Sequence, residues 1–307
     1  MNDVRYLTEA DELVPSVAAA IEDALRETAP APPESEKMAI QDFFKSPRSL
    51  VLKVTFGGDT LAIKLVPANP SSEVSLEREA NRLIEIGKAL SWSPERIRYF
   101  GRAGPVFCLA TRWVAGPSLA KIAQDLRQKA SGSVIVDEIS KAAGSVYALN
   151  HAGWYHRDLQ PAHLIRVCPD TYELIDFGES GRIDAPGVYR GAFAHFVSRS
   201  VARQMIEKRD SVVYSEADEV FAFVATAFAA LYGQVIWDYG PFQEKGFLAE
   251  RLARIADADH VGRIADIAGS DIAASVFIDA LENAELLSWE RYGELEARLR
   301  SAFVSAA

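Results

Sequence analysis

The chain has 307 residues, 49% apolar and 25% charged, proportions ordinary for a globular protein, which excludes disordered and fibrous classes. Its formal charge of −10 offers no broad cationic field, which argues against nucleic acid as a partner. Cys108 and Cys168 are too few for a disulfide framework and read as reduced thiols; with no basic region or apolar core of a signal peptide over Met1 to Arg5, a cytoplasmic location is expected.

Residues 8–27 carry Leu13, Val17, Ile21 and Leu25 at a spacing of four with acids between them, the pattern of an amphipathic helix, which Ala29-Pro30-Ala31-Pro32-Pro33 ends. This helix either packs on the outside of a lobe or docks a partner. From Ser49 the pattern changes to strand: Leu50 to Phe56, a Gly57-Gly58-Asp59 turn, then Thr60 to Val66, a hairpin by alternation and turn chemistry. Lys64 shares a strand face with Ala62 and Val66, so its ammonium runs along apolar surface, and snorkelling to solvent is one explanation.

A helix follows, capped by Ser71 or Ser72 after Pro70, with Leu76, Ala80, Leu83 and Ile86 as its apolar stripe. At ~100° per residue Glu79 falls inside that stripe, and an acid there needs a cationic partner, for which Lys64 is the candidate. Val106 to Arg112 reads as an apolar strand that leaves through Gly116-Pro117 into another helix. A helix through Ile139, Ala142, Ala143, Val146, Leu149 and Asn150 leads into His151-Ala152-Gly153-Trp154. Further on, Ser215-Glu216-Ala217-Asp218 is a capping box opening the apolar run Val220 to Tyr232. That run is about thirteen residues, short of the ~20 that span a bilayer, so no transmembrane segment is expected. Residues 247–307 read as amphipathic helices, with Leu248, Leu252, Ile255, Leu295, Leu299 and Phe303 on their apolar faces.

The chemistry concentrates in Tyr155-His156-Arg157-Asp158-Leu159-Gln160-Pro161-Ala162-His163-Leu164-Ile165 and in Glu173-Leu174-Ile175-Asp176-Phe177-Gly178. Asp158 sits on a tight turn, His163 is a metal-capable side chain shortly after it, and Asp176 ends an apolar strand. That order suits phosphoryl transfer, in which one acid orients a hydroxyl and two other groups hold a cation on nucleotide phosphates.

Together the two motifs resemble the catalytic loop and Asp-Phe-Gly element of the protein kinase-like superfamily. The resemblance implies an α+β, bilobal fold. Residues 1–36 would be an N-terminal helical extension, 37–115 a small antiparallel-sheet lobe with one main helix, and 116–307 a larger helical lobe. It implies an ATP-dependent phosphotransferase moving the γ-phosphate to a hydroxyl of a sugar, small molecule or protein side chain, with ATP and Mg²⁺ or Mn²⁺ as cofactors. Asp158 would be the catalytic base, Asp176 and His163 the metal ligands, and Lys64, paired with Glu79, the holder of nucleotide phosphates. Ala62 would lie against adenine, Thr111 would border its pocket, and backbone groups of Arg112, Trp113 and Val114 would pair with the base. Arg157 would fix the loop or meet a phosphate in the following segment, and Asp218 would anchor the loop backbone.

Three departures bear on that expectation. Phe43 to Ser49 contains no glycine, so the usual backbone cradle over phosphates is missing and Lys45 or Arg48 would replace it with side-chain charge. Gln160 stands where protein Ser/Thr kinases usually place a lysine, which removes a positive charge from the transition state. His163 replaces the metal-binding asparagine, and Gly191 to Arg199 replaces the segment ending in Ala-Pro-Glu. A histidine at that place and a glycine-free phosphate loop are similar to the bacterial lipopolysaccharide-core sugar kinases. Alternatives are a pseudokinase acting as a nucleotide-binding scaffold or regulator, and a nucleotidyl transfer with the nucleotide reversed.

Overall fold

The computed structural model describes residues 10–28, 37–45, 49–92, 96–129, 132–183, 185, 194–207, 212–237, 247–269, 272–282 and 288–304. The chain forms two compact units, Met1–Trp113 and Val114–Ala307. Among the described residues the first is a five-stranded antiparallel sheet with two helices and the second is mainly helical, a mixed α/β architecture.

In the first unit, α1 (Ala10–Thr28) precedes β1 (Ala39–Lys45), β2 (Leu50–Phe56), β3 (Asp59–Pro67), α2 (Pro70–Ala89), β4 (Ile97–Ala103) and β5 (Val106–Arg112). The strand order is β1-β2-β3-β5-β4. Phe56 pairs with Asp59 across the two-residue turn Gly57-Gly58, whose φ angles of 60° and 77° are open to glycine and match the twist of a tight hairpin. Period-two alternation sends Leu50, Leu52, Val54, Leu61, Ile63 and Leu65 to one face, where they form a continuous core with Val17, Ile21 and Leu25 of α1. Helix α1 therefore packs on the sheet, the first of its two sequence readings. Cys108 lies in the same core, and burial pushes its thiol up to about 12; Cys168 is exposed and both cysteines are free.

Helix α2 starts earlier than its serines suggested. Asn69 is the cap, its side chain accepting the Ser72 amide at 2.9 Å, and Pro70 takes the first helical position, where its missing N–H costs nothing. The stripe Leu76, Ala80, Leu83 and Ile86 is buried, and Glu79 with it.

The second unit contains α3 (Leu119–Arg127), α4 (Gly132–His151), β6 (Trp154–Tyr155), β7 (Leu164–Cys168), β8 (Thr171–Leu174), β9 (Gly181–Arg182), α5 (Arg199–Ile206), α6 (Glu216–Tyr232), α7 (Phe247–Ala256), α8 (His260–Ala268), α9 (Ile272–Glu282) and α10 (Trp289–Val304). Helix α6 is apolar all round and buried along nearly its whole length, as such a helix must be. Ser215 and Asp218 close its capping box and Gly233, at φ 74°, ends it. Leu252, Ile255, Leu295 and Leu299 are buried; the side chains of Leu248 and Phe303 lie outside the described residues. Gly116, at φ 145°, lets the chain turn into α3: a Cβ there would collide with the Arg166 carbonyl, whose own amide donates to Pro117 O at 3.0 Å. Among the described residues no helix is long and apolar enough to cross a membrane.

Candidate functional site

The hairpin β7–β8 sets the spacing of the site in the second unit. His163 immediately precedes β7 and Asp176 follows β8 by two residues; Leu164 pairs with Leu174, and the Ile175 amide donates to His163 O at 3.0 Å. Antiparallel pairing thus makes neighbours of two side chains thirteen positions apart. The hairpin is clamped to α4 by Glu138, a buried carboxylate that accepts from Tyr172 Oη at 2.7 Å and from Arg166 Nη1 and Lys141 Nζ at 3.1 Å each. These three donors satisfy an acid that would otherwise be costly to bury.

Asp158, His163 and Asp176 converge, with one ligand atom from each lying within 4.8 Å of the others. His163 Nδ1 lies 2.9 Å from the main-chain oxygen of Asp158. A carbonyl can only accept, so Nδ1 carries the proton and Nε2 keeps its lone pair. That nitrogen is 3.8 Å from Asp176 Oδ2. The separation is too long for a hydrogen bond, yet within the ~4.2 Å that two ligand bonds of about 2.1 Å can span around one divalent cation. Two carboxylates and an imidazole whose tautomer is fixed by a carbonyl are a donor set that fits such a cation. Gln160 Nε2 stands 3.1 Å from the same imidazole nitrogen.

Backbone strain flanks the cluster. Arg157 and Asp176 adopt left-handed conformations at φ 64° and 61°, each worth roughly 1–3 kcal/mol of strain in a non-glycine residue. His156 links the two places: its fully buried ring donates from Nε2 to Ile175 O at 3.0 Å, and burial, aided by the neighbouring His163, drives its pKa down to about 3. It stays neutral and acts as a strut between the loop and the strand end that carries Asp176.

The loop is anchored from α6, but not by the residue expected. Asp218 is spent on the capping box and on accepting the Ser198 hydroxyl. The next residue, Glu219, fully buried, accepts the backbone amides of His156 at 2.6 Å and Arg157 at 3.1 Å. Adjacent helical positions diverge by ~100°, so only one of the two acids can face the loop. Burial raises the Glu219 pKa to about 7 against the opposing pull of those amides, the Tyr214 hydroxyl and Arg157. The Arg157 guanidinium is buried, donating to the carbonyls of Arg182 at 3.2 Å and Ala185 at 3.4 Å, and a Cβ on Gly181 would overlap it. It fixes the loop to the segment after Asp176.

In the first unit, Lys64 Nζ donates to Glu79 Oε2 at 2.8 Å, joining β3 to α2 on the sheet face opposite the α1 core. The cation that Glu79 needed on its stripe is therefore Lys64. Ala62 and Thr111 are direct cross-strand partners on the same face, the Thr111 hydroxyl reaching Ala62 O at 3.5 Å. The Trp113 amide donates to Thr60 O at 2.9 Å, which leaves its carbonyl as the backbone group it would offer a base. Arg112 is exposed, and Val114 opens the second unit.

Register places Phe44 and Lys53 on the Ala62–Lys64 face as well, where Phe44 stacks on Trp113 with centroids 6.3 Å apart and Lys53 Nζ sits 5.0 Å over the indole. Reading β1 as a strand would have pointed to this aromatic group. The chain between Lys45 and its partner Leu50 is the glycine-free connection; Arg48 and the Lys45 side chain lie outside the described residues.

Compared with known proteins, the chain matches no protein-family model and no curated protein.

Proposed function

We propose that this chain has a protein kinase-like fold and is an ATP-dependent phosphotransferase, acting on a hydroxyl of a sugar, small molecule or protein side chain. The observation that carries the reading is the convergence of Asp158, His163 and Asp176 within 4.8 Å, on elements held by a buried histidine and a buried glutamate. The Lys64–Glu79 pair, largely withdrawn from solvent, supports it, since a lysine oriented by an acid is a ready phosphate ligand.

A divalent cation, Mg²⁺ or Mn²⁺, would supply charge neutralisation on the phosphates of ATP. Asp176 and His163 Nε2 would hold that ion. Asp158, whose side chain is 15% exposed, would orient the acceptor hydroxyl and take its proton as that oxygen bonds the γ-phosphorus and the bond from the γ-phosphorus to the β–γ bridging oxygen breaks, releasing ADP, a role worth roughly 10²–10⁴ in rate. Ala62 and Thr111 would border the base, with Lys64 on the phosphates.

A second reading, a nucleotide-binding scaffold, is favoured by the glycine-free connection between β1 and β2. ATP labelled at the γ or the α phosphate, incubated with Mg²⁺ or Mn²⁺, separates the readings. Metal-dependent release or transfer of the γ label supports phosphoryl transfer. Transfer of the α label means nucleotidyl transfer, and transfer of neither supports the scaffold.

A further inference from the structure

We infer that Gln160 guards the cation-binding nitrogen of His163, so that a metal ion enters only by displacing the glutamine amide. The inference rests on the reading of His163 as a ligand. With its proton held on Nδ1 by the Asp158 carbonyl, the ring has one lone pair, on Nε2. The atom facing it at 3.1 Å is the Gln160 side-chain nitrogen. Only an N–H can satisfy a lone pair, so the orientation of the amide follows from the imidazole tautomer. Gln160 is also fixed locally. It precedes Pro161, which holds it extended at φ −156° and ψ 158°, and its carbonyl accepts the His163 amide at 3.0 Å. At this N-terminal position of a short 3₁₀ turn its side chain makes no capping hydrogen bond and is turned on the ring instead.

The same Nε2 is 3.8 Å from Asp176 Oδ2, so the lone pair a cation would use is the one the amide occupies. One lone pair cannot serve both. Each binding event must break the Gln160–His163 hydrogen bond, and that cost falls on the protein whichever ion arrives. Because the same hydrogen bond is lost whichever ion arrives, the threshold weakens Mn²⁺ and Mg²⁺ alike and leaves the preference between them to the imidazole itself. Gln160, read from sequence as a missing positive charge, is in this account a metal-access residue.

The test measures Mn²⁺ and Mg²⁺ dissociation constants without nucleotide, Mn²⁺ by electron paramagnetic resonance and Mg²⁺ by competition, for the parent, Gln160→Met and His163→Asn. Methionine keeps the length of glutamine and cannot donate. Losing a hydrogen bond of ordinary net strength predicts that Gln160→Met binds both ions tighter by about the same factor, roughly three- to tenfold. In the metal-free protein the ¹⁵N resonance of His163 Nε2 should move downfield in Gln160→Met as its hydrogen bond is lost. Unchanged or weaker binding by Gln160→Met, with His163→Asn still weakening Mn²⁺, overturns the inference and leaves the ligand reading standing. If His163→Asn leaves Mn²⁺ affinity intact, the ligand reading fails and takes this inference with it.

Discussion

Glu219 accepts the backbone amide of His156 at 2.6 Å from a fully buried position, which makes α6 the platform of the loop bearing Asp158. Burial lifts its folded pKa to about 7, above the ordinary carboxylate value of 4.5. A raised acid pKa contributes stability that is complete below the unfolded value and is lost as pH rises through the folded one. The parent protein should therefore lose stability relative to Glu219→Gln between about pH 4.5 and pH 7.5. Urea denaturation at several pH values checks this, and a difference that stays constant with pH contradicts it. At every pH Glu219→Gln should turn over more slowly than the parent, because its NH₂ group cannot accept the second amide.

The Lys64–Glu79 pair separates structure from chemistry. Glu79→Ala leaves a partly buried ammonium without this partner and should cost about 1–3 kcal/mol of stability as well as ATP affinity. The double replacement Lys64→Met with Glu79→Leu should restore stability to near the parent value, since apolar side chains of similar volume replace buried pairs well. ATP affinity should stay lost. Recovery of ATP binding in the double variant would remove Lys64 from the phosphate site.

His163 should give the site a preference among metals. With an imidazole ligand, Mn²⁺ should support turnover at least as well as Mg²⁺. His163→Asn should shift the ratio toward Mg²⁺. An unchanged ratio would leave the ring as a hydrogen-bond partner of the Asp158 carbonyl and nothing more.

Gly181 packs directly on the Arg157 guanidinium, and a Cβ there overlaps it. Gly181→Ala should displace Arg157 from the Arg182 and Ala185 carbonyls, costing about 1–3 kcal/mol and slowing turnover. Thermal melting and steady-state rates together test this; a variant with parental melting and rate would show that the arginine is not needed to hold the segment.

How legible these features were depended on whether one period decided them. The position of Glu79 follows from 100° per residue on a clear apolar stripe, and the β2–β3 hairpin from alternation around Gly57-Gly58. Strands β1 and β4 lacked such a signal: the first half of β1 is largely exposed, and β4 is mostly half-buried on both faces. The Asn69 cap was hidden because the two following serines are equally good caps by composition. Glu219 was hidden behind Asp218, whose capping box accounts for an acid locally and says nothing about its neighbour. The Gln160–His163 contact depends on a ring tautomer that is set by a backbone carbonyl, and side-chain identities alone do not reveal it.

In the proposed reaction Asp158 works on the acceptor hydroxyl while Asp176 holds the metal with its nucleotide. MnATP affinity and turnover measured side by side in Asp158→Asn and Asp176→Asn test it most directly. Asp158→Asn should bind MnATP nearly as the parent does while turnover falls by roughly two orders of magnitude or more. Asp176→Asn should weaken MnATP binding as well as turnover. Equal loss of MnATP affinity in both variants would contradict the division of roles, and parental turnover in Asp158→Asn would contradict the site itself.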